Sequence, residues 1–129
     1  LRASHVGLAM QRALAELALE EPLELKVSIA SGQVRRFLVG DPEHLRLDAL
    51  AGAPLERMAA GDDVARPGDV VIDRETRERL GERARTEAPG RAEQGEGRAR
   101  LVGLEGSFVP TPWGAPPRLT ESVGVILAA

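Results

Sequence analysis

Between Ser4 and Leu19 apolar residues return every three or four positions. Val6, Met10, Ala13, Leu14 and Leu17 fall on one face, which predicts an amphipathic helix with Ser4 as its N-cap. Glu20-Glu21-Pro22 ends that pattern. Leu25, Val27 and Ile29 then alternate with Lys26, Ser28 and Ala30, the two-residue period of a strand. Ser31-Gly32 supplies a turn, and Gln33 to Val39 predicts a second strand paired with the first. Gly40-Asp41-Pro42 breaks the second strand, and a short connection is expected from there to Leu50.

Gly52 and Pro54 mark the start of a second helix, because proline is tolerated where the first-turn N–H groups have no partner. Leu55, Met58 and Ala59 would form its apolar side. Arg66-Pro67-Gly68 is a turn signal, and Val70-Val71-Ile72 is a compact run suited to a buried strand. Asp73 is placed to cap a charged helix from Arg74 to about Ala84. Residues 85–97 carry Ala, Glu, Arg, Gly and Pro without apolar periodicity and read as a flexible loop. Arg98 to Leu104 alternates again and predicts a strand. Phe108 to Pro117 reads as an extended, proline-rich connection around Trp113, and Val123 to Ala129 as a final strand.

Composition narrows the class. A chain of 129 residues is long enough to bury one core. The net charge of -3 gives no basis for a nucleic acid or anionic membrane partner. Lys26 is the sole lysine among seventeen basic residues, a bias expected of a GC-rich genome. Without cysteine there is neither a disulfide framework nor a thiolate metal site. Aromatic residues make up only 2%, so Leu, Val, Ile and Ala must fill the core. No apolar run approaches the ~20 residues of a membrane span, no signal-peptide pattern opens the chain, and the cytoplasm is the expected compartment. Leu1 already lies in a helical pattern, as expected of a piece of a longer polypeptide.

The order Ser31-Gly32, Val39-Gly40-Asp41-Pro42, Leu50-Ala51-Gly52-Ala53-Pro54-Leu55 and Arg66-Pro67-Gly68-Asp69-Val70-Val71 resembles the second half of a class III nucleotide cyclase homology domain. It is most similar to the degenerate first domain of bacterial tandem proteins of the soluble adenylyl cyclase type, over about Val6 to Leu80. The resemblance implies an α+β fold with a ferredoxin-like βαββαβ core, of which residues 1–84 carry the second half, followed by the loop 85–97 and a terminal segment 98–129. It also implies a head-to-tail partner, another cyclase homology domain in the same chain or a second subunit, with ATP as a candidate ligand of the shared site.

In that family one side of the interface supplies two aspartates that hold Mg or Mn ions, and the other supplies an Asn and an Arg from the helix after the hairpin. The aspartates belong to a segment upstream of Leu1, so no metal ligand or other cofactor contact is expected from this chain. Aligned on Gly52, Glu56 stands at the Asn position and Ala60 at the Arg position. A carboxylate repels a triphosphate, and alanine offers it no charge-assisted hydrogen bond. Arg57 is turned about 100° from the required direction. The resemblance thus implies a domain with no catalytic residues of its own. Without the first half, its strands are expected to lack partners and to leave apolar edges exposed.

The remaining chemistry-bearing residues have plainer roles. His5 and His44 have no spaced partner ligand. Asp62-Asp63, Asp69 and Asp73 admit a cation site, although turn and cap roles account for Asp69 and Asp73. Serines and glycines fit no hydrolase or phosphate-loop motif. Arg35 and Arg36, adjacent on a strand, point to opposite faces and with Arg57 are candidates for a domain interface.

The leading expectation is a degenerate cyclase domain that pairs with a cyclase domain and regulates its nucleotide site. One alternative is part of a competent adenylyl cyclase making cyclic AMP, with its metal-binding aspartates upstream. The other is a non-enzymatic α+β interaction module.

Overall fold

A computed structural model describes residues 1–17, 20, 23–41, 45–89 and 97–106. The expected connection around Trp113 and the expected strand at 123–129 lie outside these residues. The described elements are α1 (Arg2–Glu16), β1 (Val27–Ile29), β2 (Arg35–Asp41), β3 (Leu45–Ala51), α2 (Ala53–Val64), β4 (Val70–Ile72), α3 (Arg74–Leu80), a 3₁₀ turn at Gly81–Arg83, β5 (Ala84–Glu87) and β6 (Ala99–Leu104). The class is α+β.

Four strands form a mixed sheet in the order β1-β4-β6-β5. β1 and β4 run parallel, Val27 beside Val70 and Ile29 beside Ile72, while β6 is antiparallel to both β4 and β5. Val70, Val71 and Ile72 are at most 2% exposed, as expected of an apolar run walled on both faces. On one face Val70, Ile72, Leu80, Ala99 and Leu101 form the core, with Leu8, Val27 and Ile29 packed against it. On the other, Val71 packs with Val64 and Ala65 at the end of α2. The alternation expected along Arg98 to Leu104 is present: Ala99 and Leu101 are buried, Arg98 and Arg100 half-exposed.

Helix α1 turns a different face inward from the one its apolar spacing suggests. Ser4 and Gly7 are buried and Leu8 joins the core, whereas Val6, Met10 and Leu17 are 54, 46 and 58% exposed. Close approach decides this. A Cβ on Gly7 would sit 3.2 Å from Val70 Cγ1 and 3.3 Å from Val27 Cγ1, so the small-residue stripe is the one that fits the sheet. Ser4 is therefore inside the helix and Leu1 occupies the N-cap position. Gln11, on the same stripe, donates from Nε2 to the Leu25 carbonyl at 2.7 Å and to the Asp69 carbonyl at 3.3 Å. It ties α1 to the entrances of both parallel strands.

Three further expectations are corrected. β2 does not pair with β1. It pairs antiparallel with β3, from Arg35 opposite Ala51 to Asp41 opposite Leu45, through the segment expected to be a connection. Leu45, Leu47 and Ala49 alternate there with Arg46 and Asp48, the two-residue period of a strand. On α2 the buried residues are Pro54, Gly61 and Val64, and Met58 and Ala59 face solvent. The charged helix stops at Leu80, and Ala84, its expected end, joins the first residues of the expected loop in β5 (Ala84–Glu87), giving β6 its second partner.

Candidate functional site

The densest polar cluster lies at the carboxyl ends of the parallel strands β1 and β4, where ligand crevices open in parallel sheets. Asp73 follows β4 directly and is 3% exposed. Its Oδ1 accepts the N–H of Thr76 at 2.8 Å, capping α3, and the N–H of Ser31 at 3.3 Å. Its backbone N–H donates to the Ile29 carbonyl at 3.0 Å. The Ser31 and Thr76 hydroxyls meet at 2.8 Å.

Arg57 reaches this cluster from α2. Its Nε donates to Asp73 Oδ2 at 2.8 Å and stands 3.2 Å from Glu75 Oε2, while Nη2 donates to the Ser31 carbonyl at 2.8 Å. One guanidinium thus joins α2, the turn after β1 and the first turn of α3. Gly32 permits that packing: a Cβ there would lie 2.6 Å from Pro54 Cγ. Burial pushes the Asp73 carboxyl up, but hydrogen bonds from the Thr76 and Arg57 side chains and from the Thr76 and Ser31 backbone outweigh it. The carboxyl is held below its ordinary value. The hydrogen bond to Asp73 in turn raises Arg57.

The structure separates the sequence candidates. Glu56 is exposed in the first turn of α2 and Ala60 is half-buried one turn later, and neither enters the Arg57–Asp73 cluster. Arg57, a candidate for the surface or an interface, ties three elements of the chain together while its side chain stays 29% exposed. Arg35 and Arg36 lie on opposite faces of the hairpin, as their adjacency on a strand requires. Arg36 grips Asp48 across the strands with Nε at 2.8 and 2.9 Å from the two carboxylate oxygens and Nη2 on Oδ2. That hydrogen bonding raises Arg36 and lowers Asp48. The tie between Arg57 and Asp73 was missed in the sequence. Its only trace there is a helix-capping aspartate following a buried strand, and nothing in the spacing points from it to residue 57.

The aspartates considered for a cation are engaged elsewhere. Asp62 accepts from Lys26 Nζ at 3.2 Å, and Asp69 accepts the Arg66 N–H at 3.0 Å with Arg100 at 3.6 Å. Among the described residues no three His, Cys, Asp or Glu side chains converge to hold a metal ion. Among the described residues no helix is long and apolar enough to cross a membrane. No protein-family model, curated protein or solved structure matches the chain.

Proposed function

We propose that this chain is the second half of a catalytically degenerate class III cyclase homology domain with a ferredoxin-like core. It pairs with another cyclase homology domain in the cytoplasm and shapes or regulates a shared nucleotide site. The observation that carries this reading is the run from Ser31 to Asp73. A Ser-Gly turn after β1 leads through a hairpin to a Gly-led helix, α2, and back to β4 beside β1. That is the order in which the family's motifs occur.

Two features favour a non-catalytic role for this half. Glu56 is exposed where the family uses Asn, and Ala60 cannot stabilise phosphoryl charge. The neighbouring arginine, Arg57, is held by Asp73, Glu75 and Ser31. A need for a partner is supported by β1, a half-buried edge strand of the four-stranded sheet, and by the apolar residues exposed on α1 and the hairpin. The Mg or Mn ions of a complete site would be held by groups outside the described residues.

Calorimetry tests the reading. A non-hydrolysable ATP analogue with Mn is titrated into the chain, into a catalytic cyclase domain, and into their mixture. Tighter binding in the mixture than in either protein separately is expected. Equal binding with and without the chain, with both proteins folded, would leave the non-enzymatic interaction module, which the exposed apolar hairpin independently favours. Cyclic AMP formation by the chain without a partner would overturn the non-catalytic assignment.

A further inference from the structure

β1 is the outer strand of the four-stranded sheet, paired on one edge only. The Val27 N–H donates to the Asp69 carbonyl and the Ile29 carbonyl accepts from Asp73, so Val27 and Ile29 turn their backbone groups to β4. In a parallel ladder the intervening residues point the other way. The N–H and C=O groups of Lys26, Ser28 and Ala30 therefore line an edge with no partner strand among the described residues, and Val27 to Ala30 are half-buried.

Both helices beside β1 hold an apolar flank over that edge. On one face Gly7 of α1 sits against Val27, Ile29 and Val70, and Leu8 turns to the core. Val6, Met10 and Leu17 lie about 160–200° round the helix from Leu8, on the flank beyond β1, and all three are exposed. On the other face Gly61 of α2 sits against Ser28 and Val71, and Val64 turns to Val71. Met58 lies about 120° from Val64, again on the flank beyond β1. Its carbonyl takes the Ser28 hydroxyl at 2.7 Å and its side chain is exposed. The open edge is the floor of a slot with apolar side chains on both walls.

We infer that this slot takes an extended segment of a partner polypeptide as a fifth strand, antiparallel to β1 and apolar on both faces. A bare backbone edge is recognised by another backbone. Walls on both faces select a continuous apolar run, which is why Val70-Val71-Ile72 fits between the same two helices. Met10 and Met58 are unbranched and adapt to the side chains that enter. Charge sets the direction. Glu16, Glu20 and Glu24 follow the chain from the end of α1 to the start of β1, are exposed, and have no ion pair among the described residues. The segment therefore carries arginine or lysine at its carboxyl end, which an antiparallel strand brings to the start of β1.

β1 of a second copy is a poorer occupant. Paired about Ser28, it would set Glu24 against Gly32 and place a serine rather than an apolar residue between the Met58 side chains. The slot supplies a contact for the pairing proposed above and rests on that need for a partner. Its test uses neither nucleotide nor a cyclase domain, so the slot can fail while the nucleotide site stands, and the reverse.

Fluorescence anisotropy of a labelled peptide, acetyl-Ser-Val-Ile-Val-Arg-Arg-amide, titrated with the full chain tests the slot. Saturable binding is expected, with amide exchange at Ser28 slowed by the peptide. Methylating alternate peptide nitrogens should abolish binding in one phase and spare it in the other, because only one set of N–H groups faces β1. Met10→Lys and Met58→Lys should each weaken binding about tenfold, and glutamates in place of the two arginines should weaken it too. Leu38→Lys on the hairpin should leave it unchanged. Circular dichroism reports that each variant keeps the fold, since Met10 and Met58 lie outside both core clusters. Absence of saturable binding overturns the inference. So does binding indifferent to the phase of methylation or to both methionine variants. Slow exchange at Ser28 without peptide also overturns it, since the edge would then be filled already, by a second copy if protection grows with concentration.

Discussion

Arg57 Nε lies 2.8 Å from Asp73 Oδ2, joining the middle of α2 to the cap of α3 across sixteen positions of sequence. Asp73 serves both as helix cap and as counter-ion, so its removal has two costs. Asp73→Ala frees the Thr76 and Ser31 N–H groups and leaves Arg57 without its nearest carboxylate. We expect a loss of about 2 kcal/mol, mostly from the cap. Asp73→Asn keeps an acceptor for Thr76 and should lose less. Urea unfolding of the two variants measures the difference, and equal losses would show that the charge rather than the cap dominates.

The same carboxylate predicts a pH dependence. Its folded-state pKa lies below the unfolded value, so its contribution to stability is fully present above the unfolded pKa of about 3.9. That contribution fades as the pH falls through the lower, folded value. Unfolding free energies measured down through this acid range should show a decline that is shallower in Asp73→Asn. An identical acid limb in both proteins would assign the decline to other carboxylates.

Gly61 is set by contact, not by helix propensity. A Cβ there would overlap the Ser28 hydroxyl, which donates to the Met58 carbonyl at 2.7 Å. Alanine normally favours a helix over glycine by about 1 kcal/mol. At this position we expect Gly61→Ala to destabilise by about 1–2 kcal/mol, because strand β1 must move or the hydroxyl must abandon its acceptor. In a Ser28→Ala background the nearest atom becomes the residue 28 Cβ, 3.4 Å away, and the penalty should largely vanish. A double-mutant cycle reads this coupling, and additive effects would contradict it.

The parts legible in the sequence are those where local chemistry and tertiary environment agree. Val70-Val71-Ile72 is apolar on both faces because helices cover both faces of β4, and Asp73 caps α3 within three residues of itself. The parts that misled are those where contact between distant segments decides. The stripe of Val6, Met10 and Leu17 has the spacing of a buried face, yet Gly7 lets the opposite side come closer to Val27 and Val70. β3 is different: Leu45, Leu47 and Ala49 alternate with Arg46 and Asp48, a strand period legible in the sequence, while its partner is chosen by the hairpin rather than by the core. The candidate site divides in the same way. Glu56 and Ala60 could be located from motif order, but the role of Arg57 depends on Ser31 and Asp73, which only folding brings together.

Gln11 offers a local readout of how α1 is attached. Its amide donates to the Leu25 and Asp69 carbonyls, and Asp69 also accepts the Val27 N–H at 3.0 Å while Leu25 accepts that of Gly68 at 2.9 Å. These four backbone groups open the parallel β1–β4 ladder, so the side chain clamps the start of that pairing. Replacing it by alanine should cost about 1 kcal/mol globally, the usual net worth of such hydrogen bonds. The larger effect should be local. Amide exchange at Val27 and Gly68 should accelerate more than at Ile72, which lies at the far end of the ladder inside the core. Uniform acceleration at all three positions would mean that α1 and the strand entrance open only with the whole domain, and that Gln11 contributes to overall stability without acting as a clamp.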